Sequence, residues 1–168
     1  MGEAGVWACC NVGASQPTDY GNYYAWGETK TKSIYSMDNY AYKDANLGFD
    51  ISGTQYDAAQ ANWGGRWRMP TLDRCKLLLN CPNERTTING VNGRLFTAPN
   101  GNRLFLPAAG CRYSGDLGGA GSYGLYRLST PDPSHSDITY YLGFNSDGAY
   151  WSYYGYHGRG LSVRPVAE

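Results

Sequence analysis

Asp57-Ala58-Ala59-Gln60-Ala61-Asn62-Trp63-Gly64-Gly65-Arg66-Trp67-Arg68-Met69-Pro70-Thr71-Leu72-Asp73-Arg74-Cys75-Lys76-Leu77-Leu78-Leu79-Asn80 carries both helices that the sequence promises. Asp57 stands where a helix start needs an acceptor, and Ala58 to Ala61 stops before Gly64-Gly65. Arg66 to Thr71 then runs extended into a second cap. Thr71 is placed to cap the next helix, Asp73 complements the positive helix start, and Pro82 lies just past the stop. Leu72, Cys75, Leu78 and Leu79 fall on one face, so this helix has a side to bury.

Outward from this stretch the chain breaks into short extended pieces. Val6 to Ala14 reads as an early strand ending in a turn, Ser15 to Gly21 as turn material, and Tyr23 to Glu28 as an aromatic second strand. Residues 29–55 show no period and read as a long excursion. Downstream, Gly90 to Thr97 and Asn102 to Pro107 read as two strands. Ala98-Pro99-Asn100-Gly101 turns between them, because Asn-Gly tolerates the positive φ of such turns. Ala108 to Tyr113 leads into the glycine-rich Leu117 to Gly121, and short strands follow around Tyr140 to Phe144, Ala149 to Tyr153 and Ser162 to Val166. There is no internal repeat. The length of 168 residues fits one domain.

Composition excludes several classes. Fourteen basic against 14 acidic residues leave no basic footprint for nucleic acid or an anionic membrane. No apolar run is long enough for membrane insertion, and Met1-Gly2-Glu3-Ala4 leads directly into domain-like sequence without a signal peptide. The five cysteines include no C-x-x-C pair and none lies near a histidine in sequence, which disfavours zinc. Most read as small buried apolar residues. Cys9 and Cys10 are adjacent and would bridge each other only with strain, and an exported protein could hold one disulfide.

From Gly121 to Gly160 the chain holds eight Tyr, seven Gly, six Ser and both His, with no Lys and no Cys. Tyr supplies large amphipathic area at low conformational cost, while Ser and Gly supply adaptable hydrogen bonding, so this composition makes contact surfaces. Catalytic signatures are missing. Gly115 to Gly124 lacks the Lys-Ser/Thr of a phosphate loop, and neither G-x-S-x-G nor H-E-x-x-H occurs. Asp132, Asp137 and Asp147 do not form the dense loop of a calcium site. His135 and His157 sit in polar company and read as surface residues.

Several segments together resemble one family. Trp7-Ala8-Cys9-Cys10-Asn11-Val12-Gly13-Ala14 is similar to W-A-T-C-N-V-G-A, and Asp19 to Glu28 to D-Y-G-x-Y-F-A-W-G-E. Asn62 to Thr71 is similar to N-W-G-x-x-W-R-M-P-T. Asn89 to Gly93, Phe105 to Gly110 and Ser162 to Val166 complete the set. These motifs, in order along the chain, resemble the Fibrobacter succinogenes major paralogous domain, common in Bacteroidetes surface and secreted proteins. The resemblance implies an α+β domain of the C-type lectin fold, in its formylglycine-generating-enzyme-like branch: small antiparallel sheets, two helices and long loops carrying a binding face. It implies an extracellular or cell-surface setting in a bacterium, or a phage-encoded protein.

The oxidases of that branch use a Cys near the C-terminal end, and here no Cys follows Cys111. The calcium-dependent lectins use E-P-N or Q-P-D with W-N-D. Here Gln16-Pro17-Thr18-Asp19 interrupts Q-P-D and W-N-D is absent. The same fold also carries the variable proteins of diversity-generating retroelements, in which substitutions are scattered through a C-terminal stretch. Arg127, Leu128, Gly143, Gly155, His157 and Arg159 depart from the family's tail pattern amid retained framework residues, as such scattering would leave them.

The resulting expectation is a single domain over 1–168, with a scaffold at 1–120, a variable ligand-binding region at 121–160 and a terminal strand at 161–166. Its function is binding rather than catalysis, with no cofactor and no metal, toward a protein or glycan at a surface. The ligand face is assigned to Leu125, Arg127, Asp132, Ser134, His135, Asp137, Tyr140, Tyr141, Gly143, Tyr150, Ser152, Tyr153, Tyr154, Tyr156, His157 and Arg159. At least two of Tyr150, Tyr153, Tyr154 and Tyr156 are expected to be exposed, with Leu142, Phe144 and Trp151 pointing inward. Two alternatives stay open: a structural or adhesion domain of a larger surface protein, and a relative of the formylglycine-type oxidases.

Overall fold

In chain order the computed structural model, which describes residues 1–168, runs β1 (Val6–Trp7), β2 (Tyr23–Tyr24), α1 (Ala58–Trp63), β3 (Trp67–Arg68), α2 (Leu72–Leu79), β4 (Asn83–Ile88), β5 (Val91–Thr97), β6 (Arg103–Pro107), β7 (Cys111–Tyr113), β8 (Asp116–Gly118), β9 (Gly124–Pro131), β10 (Ile138–Phe144), β11 (Ala149–Tyr156), β12 (Leu161–Ser162) and β13 (Val166–Ala167). This is a mixed α+β architecture of small sheets with two helices.

Both helices start on the caps that the sequence supplies. One Asp57 carboxylate oxygen accepts from the N–H groups of Ala59 (2.8 Å) and Gln60 (3.0 Å). The other accepts from Gly53 (2.8 Å) and Met69 (2.9 Å), so one buried carboxylate starts α1 and also pins the chain on either side of it. Thr71 Oγ1 accepts from Arg74 N–H at 3.3 Å to open α2. Cys75 and Leu78 of α2 are fully buried against Leu128, Leu142 and Phe144 of the main sheet and Phe96, Leu104 and Leu106 of the β5–β6 hairpin.

The main sheet has five strands in the order β11-β10-β9-β12-β2. Its first three strands are antiparallel neighbours, β12 runs parallel to β9, and β11 is an edge. A second sheet, β1-β13-β3, ties the two ends of the chain together through Val6↔Ala167 and Trp7↔Val166. The remaining sheets are β4-β5-β6 and β7-β8.

Four features differ from the sequence reading. Residues 29–55 are anchored rather than free: the Tyr35 hydroxyl donates to Tyr23 O and the Tyr40 hydroxyl to Trp26 O, both at 2.6 Å, and Ile51 is wholly buried. Isolated phenols that each reach one distant carbonyl leave no periodic trace. Asn83 to Ile88, given no element above, is β4, joined to β5 by Asn89-Gly90 with φ of 49° and 78°. The tail strands are long, and β9 went unread because its two faces are both covered. Tyr126 and Leu128 meet the core on one side while Arg127 and Ser129 are buried on the other. Finally, Trp151 is 41% exposed rather than interior. It lies opposite Leu142 on the edge strand, where the core ends and the Lys76 ammonium (5.3 Å) and the Tyr140 ring (5.7 Å) cover it only in part.

All five thiols are free. Cys10, Cys75, Cys81 and Cys111 are buried, and exposed Cys9 has its sulfur 3.7 Å from that of Cys10.

Candidate ligand face

The tail residues divide into an exposed aromatic strip and a buried support. The strip is β11. Tyr150, Trp151, Tyr153, Tyr154 and Tyr156 are each between 38% and 58% exposed, whereas Leu142 and Phe144 of the adjacent strand are buried. Register explains how adjacent residues come outward together. Thr139 pairs with Gly155 and Tyr141 with Ser152, so β11 places both Tyr153 and Tyr154 opposite Tyr140. This bulge turns two neighbouring rings out on one side, with centroids 4.5 Å apart. Tyr140 is half-buried beneath them, meeting Trp151 at 5.7 Å and Tyr153 at 6.5 Å.

On the opposite face Leu125, Gly143 and Tyr150 stand in register across three strands, as do Arg127, Tyr141 and Ser152. Gly143 is buried and serves packing. A Cβ there would come within 2.7 Å of the Tyr150 ring, so glycine lets Tyr141 and Tyr150 meet edge to face at 6.4 Å.

Besides Gly143, two more assigned residues are not on the surface. Arg127 is completely buried. Its Nε donates to Tyr24 O (3.3 Å), and one terminal nitrogen donates to Tyr156 O (2.8 Å), His157 O (3.2 Å) and Arg159 O. Burial without a carboxylate partner pulls its pKa down to about 10. His157 is 6% exposed, stacked on Trp26 at 4.5 Å and tilted against Tyr40 at 5.6 Å. Burial, reinforced by the Arg127 charge, depresses its pKa to about 4, so it is neutral at physiological pH. Arg127 braces the backbone of residues 156–159 from beneath, while the His157 ring packs between Trp26 and Tyr40. Arg127 reads as a surface residue in sequence because its partners are main-chain carbonyls, and His157 because the rings that enclose it come from distant segments.

The loop from Asp132 to Asp137 is exposed at the end of the strip. Asp132 accepts from Ser134 N–H at 2.7 Å and lies 3.4 Å from His135 Nδ1, while Ser134, His135 and Asp137 face solvent. The Asp137 carbonyl accepts from His157 N–H at 3.0 Å, which fixes this loop to the end of β11.

Arg159 is half-buried, its guanidinium over the rings of Tyr156 (5.2 Å) and Tyr113 (5.4 Å). Beside it opens a cleft of about 430 Å³ to which Ser36, Met37 and Asp38 also contribute. Tyr113 and the segment 36–38 were not read from sequence, since they lie far from the tail and carry no shared motif. An exposed Tyr next to glycine-rich sequence was the only available hint. No helix is long and apolar enough to cross a membrane, and no three His, Cys, Asp or Glu side chains group as metal ligands do. No family model, curated protein or solved structure matches the chain.

Proposed function

We propose that this chain is a non-enzymatic ligand-binding domain of receptor or adhesin type, and that β11, the 132–137 loop and Arg159 form its ligand face. The observation that carries this reading is the aromatic strip on an edge strand. At roughly 200 Å² per aromatic side chain, the exposures of Trp151, Tyr153 and Tyr154 leave about 270 Å² of aromatic surface on one face. That approaches the largest apolar patches of ordinary monomers, which often serve binding. The strip carries no charged residue, and its rings are pre-set by the bulge rather than by induced packing.

A C-type lectin scaffold of the formylglycine-generating-enzyme-like branch accounts for the two helices, the small antiparallel sheets and the long anchored loops. A bacterial cell surface or the extracellular space is the setting that goes with it. If the tail is diversified by a retroelement, interchange is confined to the exposed positions Ser134, His135, Asp137, Tyr150, Trp151, Tyr153, Tyr154 and Tyr156. Arg127, Leu128, Gly143, Gly155 and His157, five of the six departures from the family's tail pattern, are buried, so they belong to the support and do not count toward a diversified face. Binding rather than catalysis also fits His157, which is enclosed by aromatic rings instead of meeting a nucleophile.

The test is the triple variant Trp151→Ser, Tyr153→Ser, Tyr154→Ser, compared with wild type by thermal melt and on arrays of glycans and immobilised surface proteins. A melting temperature within a few degrees of wild type together with lost array binding is expected. A collapsed melting temperature, or unchanged binding, would refute the ligand-face reading.

A second reading, a structural domain packed into a larger surface protein, draws on a groove of about 580 Å³ along β1 and β6. Val6, Trp7, Ile88, Leu95, Leu104 and Phe105 make it mostly apolar. Self-association blocked by Val6→Glu in analytical ultracentrifugation would favour that reading.

A further inference from the structure

We infer that Arg159 is the anion-recognising centre of a cleft for an acidic sugar, a uronate residue of a glycan. The inference rests on the reading of the tail as a ligand face and names the chemistry of one part of it.

The guanidinium of Arg159 takes part in no hydrogen bond or ion pair within the chain, and its Nε is buried without a partner. An arginine left this way on a mobile stem would be unremarkable. This one is held. Its guanidinium carbon lies over the rings of both Tyr113 and Tyr156, at 5.4 and 5.2 Å. Its carbonyl is gripped by buried Arg127, and its N–H donates to Tyr156 O at 3.3 Å. The glycines flanking it have no room to shift: a Cβ on Gly158 would lie 2.7 Å from Ser36 backbone atoms, and one on Gly160 2.8 Å from the Tyr35 ring. The cation is therefore pre-positioned, with its donors unspent.

Clefts open on both sides of the Tyr113–Arg159 pair. One, of about 430 Å³, adds Ser36 and Asp38. The other, of about 320 Å³, adds Asp116 and Tyr123. A forked cation matches a carboxylate. Two carboxylates and several hydroxyls beside it match sugar hydroxyls, and exposed phenol rings match the apolar face of a pyranose. The charge count narrows the ligand. Asp38 lines one cleft and Asp116 the other, so a densely charged polyanion such as a nucleic acid is repelled, and a single carboxylate is held by the direct forked contact with the guanidinium rather than by the net charge of the cleft.

The experiment is a titration of ¹⁵N-labelled protein with digalacturonate, its dimethyl ester, and a glutamate-containing peptide, following the Arg159 Nε–Hε resonance and the dissociation constant. Expected is a saturable Arg159 shift with digalacturonate and little with the ester. Arg159→Gln should abolish binding, and Arg159→Lys, which keeps the charge but loses the fork, should weaken it about tenfold or more. The inference is overturned if wild type shows no Arg159 shift, if acid and ester bind alike, if Arg159→Gln binds as wild type, or if the peptide alone produces the shift. Should digalacturonate fail while the β11 triple variant still loses array binding, this assignment falls and the ligand-face reading stands.

Discussion

Arg127→Met tests whether the ligand face rests on a buried strut. The substitution keeps most of the side-chain volume and removes every donor that Arg127 offers to the carbonyls of Tyr24, Tyr156, His157 and Arg159. Two of those carbonyls keep a second donor, since Arg159 N–H reaches Tyr156 O at 3.3 Å and Trp26 N–H reaches His157 O at 2.9 Å. The cost is therefore set mainly by the other two, at about 1–3 kcal/mol for each buried acceptor left unmet. Removing an unpaired buried charge gives part of this back. The net loss comes to about 3 kcal/mol, or a fall in melting temperature of about 6–12 °C for a chain of this size. Urea denaturation followed by tryptophan fluorescence measures the first figure and thermal circular dichroism the second. Hydrogen exchange of residues 156–160 should also quicken relative to α2, because that segment loses its anchor. A variant within about 1 kcal/mol of wild type, with unchanged exchange at 156–160, would refute the strut. It would also reopen position 127 to free substitution.

Three further perturbations probe the same frame. His157 titrates near 4 in the fold and near 6.5 when unfolded, so below pH 6.5 the unfolded chain binds the extra proton. Stability is complete above about pH 6.5 and falls by up to about 3 kcal/mol as pH drops toward 4; urea midpoints measured across that window should show a shallower slope in His157→Phe. Asp57→Ala leaves four N–H groups without their acceptor and should cost about 3 kcal/mol or more by chemical denaturation. Gly158→Ala forces a Cβ against the Ser36 backbone and should cost about 1–3 kcal/mol, whereas Tyr154→Ala, at the most exposed ring of the strip, should leave the melting temperature almost unchanged.

Local chemistry made part of this protein legible in advance. Asp57 and Thr71 cap helices whatever surrounds them, because a side-chain oxygen near free N–H groups is a matter of a few bonds along the chain. The Ala98–Gly101 turn is local in the same way: Gly101 takes a φ of 83° and donates to Ala98 O. That at least two of Tyr150, Tyr153, Tyr154 and Tyr156 meet solvent also followed from sequence, since four tyrosines within seven residues exceed what one small core can enclose; in the fold all four are exposed.

Tertiary structure decided what sequence spacing could not. Arg127 and His157 look like surface residues by type, yet lie inside because the carbonyls of β2 and of residues 156–159 converge on Arg127 and the rings of Trp26 and Tyr40 enclose His157. Trp151 looks like core by type, yet is half out because β11 is an edge strand. Tyr113 and Asp38 join Arg159 only through pairings that span the chain, Tyr35 with Ser114 and Arg112 with Gly160. The sequence by itself determined that this domain has two capped helices, short strands and a tyrosine-rich tail. Which of those tail residues meet solvent and which hold the others in place was set by sheet order, because burial depends on neighbours that the chain brings together only when folded.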